Sequence, residues 1–399
     1  MARCVRHAGR RSGYARKETD MTAPQLPPPA EAMQNLLNGT TQFLASDLHL
    51  KVHYAPYYRV GGLLRKVASV PPIDSNDYME AMLKSIIPTH KLHDYETNGS
   101  IDFSYRGATG DRFRCNVFRS MGEMHAAIRR VQNKIPTYAE LNLAPIYEKL
   151  IHETREGLIC VTGVTGSGKS STLAAMIDHL NHIEAMHIIT VEDPIEYSFT
   201  PKKCIISQRE IGLDVPSFPI ALRAIVREDP DTIFIGEMRD RETLTAALQA
   251  AETGHLVFGT LHVGDVVQSF NRILEFFPRN EHAFIRSSMA NSLRAILCQR
   301  LIPGIEQGKV YPASEVLINT PVVKDKIRNE EDEDLPAVIA QSEHEGMLSF
   351  TQSLVQLIEK ERIHYDTAME YAPSREALQS AMKGIKASAQ SLVSRIRTK

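Results

Sequence analysis

The first hydrophobic pattern along the chain is that of a small mixed domain. Apolar residues at helical spacing predict one helix at 33–45 and another at 78–87. Alternating apolar and polar residues predict short strands, at 48–52, 101–105 and 112–119. The pair Gly61-Gly62 between two alternating runs predicts a hairpin. Because strands and helices are mixed in this way, we expect an α+β domain at residues 36–131.

The pattern changes near residue 141. From there, short runs rich in β-branched residues alternate with longer helical segments, beginning with a strand at 157–162 and a helix at 170–181. This alternation is typical of a parallel sheet whose strands are joined by crossover helices. The expected fold class is therefore α/β, with a linker, an α/β core and a helical C-terminal region at 132–140, 141–320 and 321–399.

Composition limits the classes of partner. The 399 residues include 46 basic and 48 acidic ones, so the net charge of −2 gives no general attraction to nucleic acid, and we expect no nucleic-acid partner. No apolar run is long enough to cross a bilayer, and the five cysteines share no CxxC spacing. We therefore expect a chain that works in the reducing cytoplasm and does not span the membrane.

The N-terminal segment has a composition of its own. Residues 1–35 are rich in Arg and then in Pro, with few large apolar residues, which predicts a disordered tail. Basic residues without an apolar run behind them do not make a secretory signal. Met21 offers a second translation start besides Met1.

A glycine-rich segment with a specific chemistry follows the strand at 157–162. It matches the phosphate-binding loop pattern in full, between a strand and a helix, which is the context that the motif needs. Its residues are Gly163, Val164, Thr165, Gly166, Ser167, Gly168, Lys169 and Ser170, followed by Ser171. Glycines let successive backbone N–H groups turn towards a phosphate, and the helix N-terminus favours negative charge. Lys169 is expected to contact the β- and γ-phosphates of ATP, and the Ser170 hydroxyl to bind Mg²⁺.

Two acidic segments follow later apolar strands. The first contains Glu192 and Glu196. The carboxyl ends of parallel strands face the nucleotide crevice, so a carboxylate there can orient or deprotonate the attacking water. In the second segment Gly236 takes the place where an Asp usually closes the strand, and Glu237 supplies the charge. We expect this glycine to leave room near the metal.

Two histidines bracket a further short strand. An extended strand separates His255 from His262 by about 20 Å, so the two cannot bind one metal ion. From the residues alone, each is either a sensor of phosphate or of a subunit interface, or a structural histidine with satisfied hydrogen bonds. Both interpretations stay open at this point.

Together these four segments resemble the secretion ATPases of type II secretion and type IV pili. The likeness is closest to the twitching-motility (retraction) ATPases, the PilT and PilU branch, and it covers about residues 35–390. The stretch Ala45 to Leu50 in the first domain shares it. The resemblance implies a hexameric P-loop ATPase with a PAS-like N-terminal domain and a RecA-like ATPase domain. It also implies ATP hydrolysis coupled to pilus retraction, in the cytoplasm and peripheral to the inner membrane.

The resemblance further implies roles for individual residues. Glu196 is similar in position to the catalytic carboxylate, and Glu237 to the acid of an atypical second acidic motif. His255 and His262 resemble a histidine motif near the nucleotide and the subunit interface.

Two arginines of the first domain also resemble family residues. Arg114 and Arg129 match arginines that move onto the phosphates when the domains close, and planar guanidinium groups suit that task. The partners implied are further copies of the chain in a homohexamer, an inner-membrane pilus platform protein, and a paralogous retraction ATPase.

Comparison within the family leaves alternatives open. Assembly ATPases carry a four-cysteine zinc element after the histidine motif, where only Cys298 remains here, and an extra N-terminal domain that we do not expect before Ala45. Both differences favour the retraction branch. Retraction ATPases also carry an Ala-Ile-Arg-Asn-Leu-Ile-Arg-Glu stretch, of which 322–329 keeps only Ile327 and Arg328. An accessory PilU-like adaptor of a partner motor and a pilus assembly or type II secretion ATPase are therefore the alternatives.

Overall fold

The computed structural model describes residues 26–131 and 134–384. They form two compact units: the first holds the described residues up to Asp102 with 107–109 and 115–129, and the second holds the others. The strands are β1 (Asp47–Leu50), β2 (Tyr57–Val60), β3 (Leu63–Lys66), β4 (Ser100–Arg106), β5 (Arg112–Ser120), β6 (Glu123–Arg130), β7 (Gly157–Thr162), β8 (His187–Glu192), β9 (Ile205–Glu210), β10 (Thr232–Ile235), β11 (Leu256–Leu261), β12 (Leu293–Pro303) and β13 (Val310–Ile318).

The other regular elements of the described residues are helical. They are α1 (Pro29–Gln42), α2 (Asn76–Lys84), α3 (Thr89–Asn98), α4 (Tyr138–Leu141), α5 (Ile146–Glu153), α6 (Lys169–Ile183), α7 (Phe218–Ile225), α8 (Arg241–Glu252), α9 (Val266–Glu275), α10 (His282–Ser292), α11 (Pro321–Arg328), α12 (Leu335–Gln341), α13 (Phe350–Glu359) and α14 (Tyr365–Tyr371). Short 3₁₀ helices lie at Arg279–Glu281, Asp332–Asp334 and Glu343–Glu345. Within the described part of the chain, no helix has both the length and the apolar character of a membrane span.

The first sheet has six strands in the order β3-β2-β1-β6-β5-β4. β1 pairs antiparallel with β2 and β6, and the hairpin predicted at Gly61-Gly62 is confirmed between β2 and β3. The other predicted strands and helices of this region are present with ends shifted by a few residues. We did not predict α3, because it buries only Tyr95 and its sequence has little apolar periodicity.

Helix α1 corrects the expected tail. It begins at Pro29, and a proline suits the first helical position because its φ is already helical and its missing N–H has no partner there. Ala32 and Met33 are buried in its first turns. The prediction of disorder is therefore wrong for 29–35, and residues 1–25 lie outside the described residues. The linker expected at 132–140 likewise contains the start of α4.

The second sheet has seven strands in the order β13-β12-β7-β11-β10-β8-β9. All neighbours from β12 to β9 are parallel, as the sequence pattern predicts, and β13 alone runs antiparallel at the edge beside β12. Strand β7 is buried along its whole length. Leu158 and Cys160 pack into the hydrophobic cluster on one face of the sheet, and Ile159 and Val161 into the cluster on the other. A strand covered on both faces requires the continuous apolar run that its sequence shows.

The C-terminal region is helical in its described part, up to residue 384, and Asp332 in its acidic run at 330–334 is buried. Asp332 and Arg286 of α10 are 6 % and 7 % exposed. The Arg286 guanidinium donates to both carboxylate oxygens of Asp332, at 2.8 and 2.6 Å, and to the carbonyl oxygen of Ile327 at 3.1 Å. This run is therefore attached to the body of the second unit through a bidentate ion pair.

We expect Asp332→Ala to destabilise the second unit by about 3–5 kcal/mol, because it leaves the buried Arg286 charge without its partner. Asp334→Ala is the matched control: Asp334 lies in the same run, 57 % exposed, and pairs with Lys326 at 2.7 Å. An exposed pair contributes about 1 kcal/mol or less. Urea unfolding of both variants measures the difference, and equal losses in the two would contradict the structural role of Asp332.

Candidate nucleotide site

The phosphate loop joins the end of β7 to the start of α6. Gly163 and Gly168 have φ of 151° and 89°, where a residue with a side chain is strained. A Cβ at Gly163 would lie 2.5 Å from the Gln299 carbonyl oxygen, and one at Gly168 would lie 2.8 Å from Gln299 Nε2. The loop can follow this path against β12 only because neither residue has a side chain.

The side chain of Lys169 folds back over the loop. Its Nζ donates hydrogen bonds to the carbonyl oxygens of Gly163, at 2.7 Å, and Val164, at 3.2 Å. Burial lowers the pKa of Lys169, and the negative charges of Glu237 and Glu196 oppose that shift. Both acids predicted from the sequence are therefore close enough to act on the ammonium group that the loop holds.

Glu192 ends β8 and supports the first acidic segment. It is buried, whereas Glu196 is exposed. The Glu192 carboxylate accepts hydrogen bonds from Thr190 Oγ1 at 2.7 Å, from Gln208 Nε2 at 3.2 Å, and from the backbone N–H of Glu196. Burial raises the pKa of Glu192 to about 7, although these hydrogen bonds lower it. The turn that carries Glu196 is thus held by a buried carboxyl group.

Gly236 brings the second acidic segment close to the first. Its backbone N–H donates to the Val191 carbonyl oxygen at 2.8 Å. A Cβ at Gly236 would lie 3.1 Å from the Cα of Glu192, which is closer than ordinary van der Waals contact. The structure therefore gives a different reason for this glycine than the room for a metal that we expected: it makes room for the neighbouring backbone.

The carboxylate of Glu237 lies between two basic side chains. Arg239 Nε is 2.5 Å from Glu237 Oε1, and His262 Nε2 is 3.3 Å from Glu237 Oε2. The structure therefore brings His262, which directly follows β11, to the same edge of the sheet as the phosphate loop and Glu237. This edge combines the predicted phosphate loop, a lysine, carboxylates and an imidazole.

Comparison with known proteins identifies the family of the chain. The family model described as type II/IV secretion system protein matches residues 28–393. The chain belongs to the type II/IV secretion system protein family. Proteins of this family that it resembles are ATPases, so the resemblance stated from the motifs is confirmed.

Three relatives within the family illustrate the likeness. The type IV pilus retraction ATPase PilT of Pseudomonas aeruginosa is 39 % identical over 328 residues, which covers 82 % of this chain and 94 % of PilT. The type IV pilus ATPase PilU of the same bacterium is 37 % identical over 338 residues, covering 85 % and 88 %. A crystal structure of the pilus retraction motor PilT with bound ADP matches with a TM-score of 0.81 at 39 % identity, covering 87 % of this chain and 98 % of that one.

The described chain does not bring the other histidine to this edge. His255 precedes β11, at the opposite end from His262, and the six-residue strand separates the two by about 20 Å. Its ring Nδ1 lies 3.0 Å from the Ala250 carbonyl oxygen and 3.2 Å from Thr253 Oγ1. Within one chain these contacts are those of a structural histidine, and a role at a subunit interface stays a prediction.

Arg114 and Arg129, the two arginines predicted to approach the phosphates, lie on strands of the first sheet. Arg129 on β6 places Nε 2.8 Å from Oδ1 of Asp47 on β1, and Arg114 on β5 is exposed. Their expected approach to the phosphates of a nucleotide stays a prediction.

Sequence reasoning missed Gln299. This residue is buried on β12, its Oε1 accepts a hydrogen bond from Thr172 Oγ1 at 2.8 Å, and its backbone and side chain limit the space at Gly163 and Gly168. The available signal was the amide that directly follows the apolar run 295–298 of that strand, because a buried polar side chain needs a partner.

We expect the difference in stability between Glu192→Gln and wild type to depend on pH. The pKa of Glu192 is raised to about 7 from an ordinary 4.5, so the folded protein binds the extra proton between those values. The free energy of unfolding of the wild type therefore falls by up to about 3 kcal/mol as pH rises through this window. Above the window it no longer depends on this group. Glutamine removes that dependence, so the variant should gain on wild type from pH 5 to pH 8.

Unfolding in urea at several pH values measures this difference. Asp193→Asn is the control, since it removes an exposed carboxylate from the same turn. A stability difference between Glu192→Gln and wild type that does not change with pH would show that Glu192 is charged throughout.

Proposed function

We propose that this protein is an ATPase motor that couples ATP hydrolysis to the retraction of type IV pili. One observation carries the proposal: a complete phosphate loop, with Lys169 folded onto it, follows β7 in the same parallel sheet whose strands β8 and β10 lead into the segments of Glu196 and Glu237. Likeness to PilT over most of both chains supports retraction as the work done. The proposed location is the cytoplasm, at the inner-membrane face of the pilus machine.

Several features of the loop suit the phosphates of ATP. Phosphate oxygens can replace the carbonyl oxygens of Gly163 and Val164 as acceptors for Lys169, with the gain of opposite charge. Ser167 Oγ is buried without a hydrogen-bond partner among the described residues, which leaves a donor for a phosphate oxygen. The backbone N–H groups of 163–171 and the start of α6 add further donors.

Metal binding is proposed at the first turn of α6. The Ser170 hydroxyl lies next to Lys169 and is a hard oxygen ligand, which Mg²⁺ prefers. When bound, Mg²⁺ neutralises charge on the phosphate oxygens.

Hydrolysis in this proposal uses the acids at the sheet edge. Glu196 orients the attacking water and accepts its proton, and Glu192 positions the turn that carries Glu196. Glu237 is held by Arg239 and His262, so its carboxylate has a fixed place in the field of Lys169.

The architecture of the motor is also proposed here. We assign a PAS-like fold to the N-terminal domain, which begins with α1, and a RecA-like fold to the ATPase core at 141–320. Six copies form a ring, in which Arg114 and Arg129 approach the phosphates upon domain closure and stabilise the transferring group. His255 is proposed to face a neighbouring copy. The ring acts on an inner-membrane platform protein.

An accessory role is the second candidate. The identity to PilU is 37 %, against 39 % to PilT, so overall similarity separates the two poorly. Helix α11, where the retraction stretch is expected, buries Val323 and Ile327 and exposes most of its other residues, so its departures from that stretch alter a surface. A paralogous retraction ATPase is the partner that this role requires.

We expect Glu196→Gln to keep ATP binding and to slow hydrolysis by about 10²- to 10⁴-fold, because an amide cannot accept the proton of the attacking water. Asp193→Asn, an exposed carboxylate in the same turn, should hydrolyse ATP at close to the wild-type rate. Steady-state phosphate release and binding of a fluorescent ATP analogue measure the two steps. Normal hydrolysis by Glu196→Gln together with its loss in Glu192→Gln would exchange the roles of the two acids.

Deletion of the gene should leave cells with pili and with poor twitching motility, because pili would grow and not retract. A strain in which the chromosomal gene carries Lys169→Ala should behave like the deletion, since loss of a phosphate contact removes catalysis. Electron microscopy of pili and twitching on agar measure the phenotype. Cells without pili would instead identify an assembly motor.

A further inference from the structure

A cluster of three potential metal ligands lies outside the nucleotide site. Glu148 and His152 lie on α5, and His179 lies on α6. One ligand atom from each residue lies within 4.8 Å of the other two. The two imidazole Nε2 atoms are 3.2 Å apart. The cluster belongs entirely to the second unit.

The helices place these side chains together for simple reasons. Glu148 and His152 are four residues apart, so they project from the same face of α5. α5 contacts α6, and the His152 and His179 rings meet edge to face with centroids 5.0 Å apart. The ring of Tyr138 packs against the ring of His179, with centroids 5.2 Å apart, and limits the rotation of that imidazole.

We propose that Glu148, His152 and His179 form a binding site for a transition-metal ion of the Zn²⁺ type. Two nitrogens bound to one tetrahedral Zn²⁺ at 2.0–2.1 Å are about 3.3–3.4 Å apart, and the observed separation of 3.2 Å is close to that value. A single hydrogen bond between the imidazoles also satisfies this distance. That hydrogen bond would give no role to the Glu148 carboxylate, whereas a metal ion would bind all three side chains.

The chemistry of the ligands selects the class of metal. Two imidazoles and one carboxylate suit Zn²⁺, Ni²⁺ or Cu²⁺, while Mg²⁺ and Ca²⁺ prefer oxygen ligands alone. Three protein ligands leave a coordination position for water. The ion would join α5 to the C-terminal half of α6, about 15 Å along the helix from Lys169. The proposal is therefore independent of the proposed ATPase function.

Titration of the metal-free, untagged full-length protein tests the site. Zn²⁺ is added against a coloured chelator, without nucleotide and with excess Mg²⁺. We expect wild type to bind one Zn²⁺ per chain that the double variant His152→Ala/His179→Ala binds at least about tenfold more weakly. Alanine suits both helical positions. His182→Ala is the matched control: this histidine lies one turn further along α6, with Nδ1 2.7 Å from the Asp178 carbonyl oxygen.

Two further measurements keep the proposal open to refutation if the double variant folds poorly. Glu148→Gln, which keeps the shape of the side chain, should also weaken Zn²⁺ binding. Zn²⁺ should raise the thermal unfolding midpoint of wild type and of His182→Ala, and not that of the double variant. Equal Zn²⁺ affinity in wild type and Glu148→Gln, or an equal loss in the His182→Ala control, would overturn the site.

Discussion

Burial of β7 on both faces is the constraint on which the candidate site depends. Its neighbours β11 and β12 hold it in the middle of the second sheet, and the parallel strands of that sheet end at one edge. The phosphate loop, Glu192, Glu237 and His262 come from four different strands and meet only because these ends coincide. A strand of this kind tolerates few changes, since its side chains fill two hydrophobic clusters at once.

Local patterns were sufficient for the parts of the site that are consecutive in sequence. The residues of the phosphate loop follow one another, and the strand before them and the helix after them have strong signals. Glu196 and Glu237 could be placed at the same edge by the general rule for parallel strands. Gln299 could not, because its contacts with Thr172 and Gly168 join segments that are distant in the sequence. For the same reason, the sequence did not show that His262 approaches Glu237.

The fold shows the same division between local and distant information. The hairpin at Gly61-Gly62 and the alternation of strands and helices in the second unit follow from short patterns. Pro29 was misinterpreted, because proline is common both in disordered segments and at the first position of a helix. A run of acidic residues suggests exposure, but Asp332 is buried because it pairs with Arg286, on a helix much earlier in the chain. A charged side chain can be buried where an oppositely charged partner is present, and a local sequence pattern does not show that partner.

The close approach of Gly236 to Glu192 has a consequence for the divergence of such proteins. Backbone atoms of one acidic segment occupy the space that a side chain at the other would need, so the two segments cannot change independently. An acidic residue at position 236 would require the backbone near residue 192 to move by a few tenths of an ångström. Such a change would place strain on the turn that holds Glu192, so substitutions in the two acidic segments should be energetically coupled.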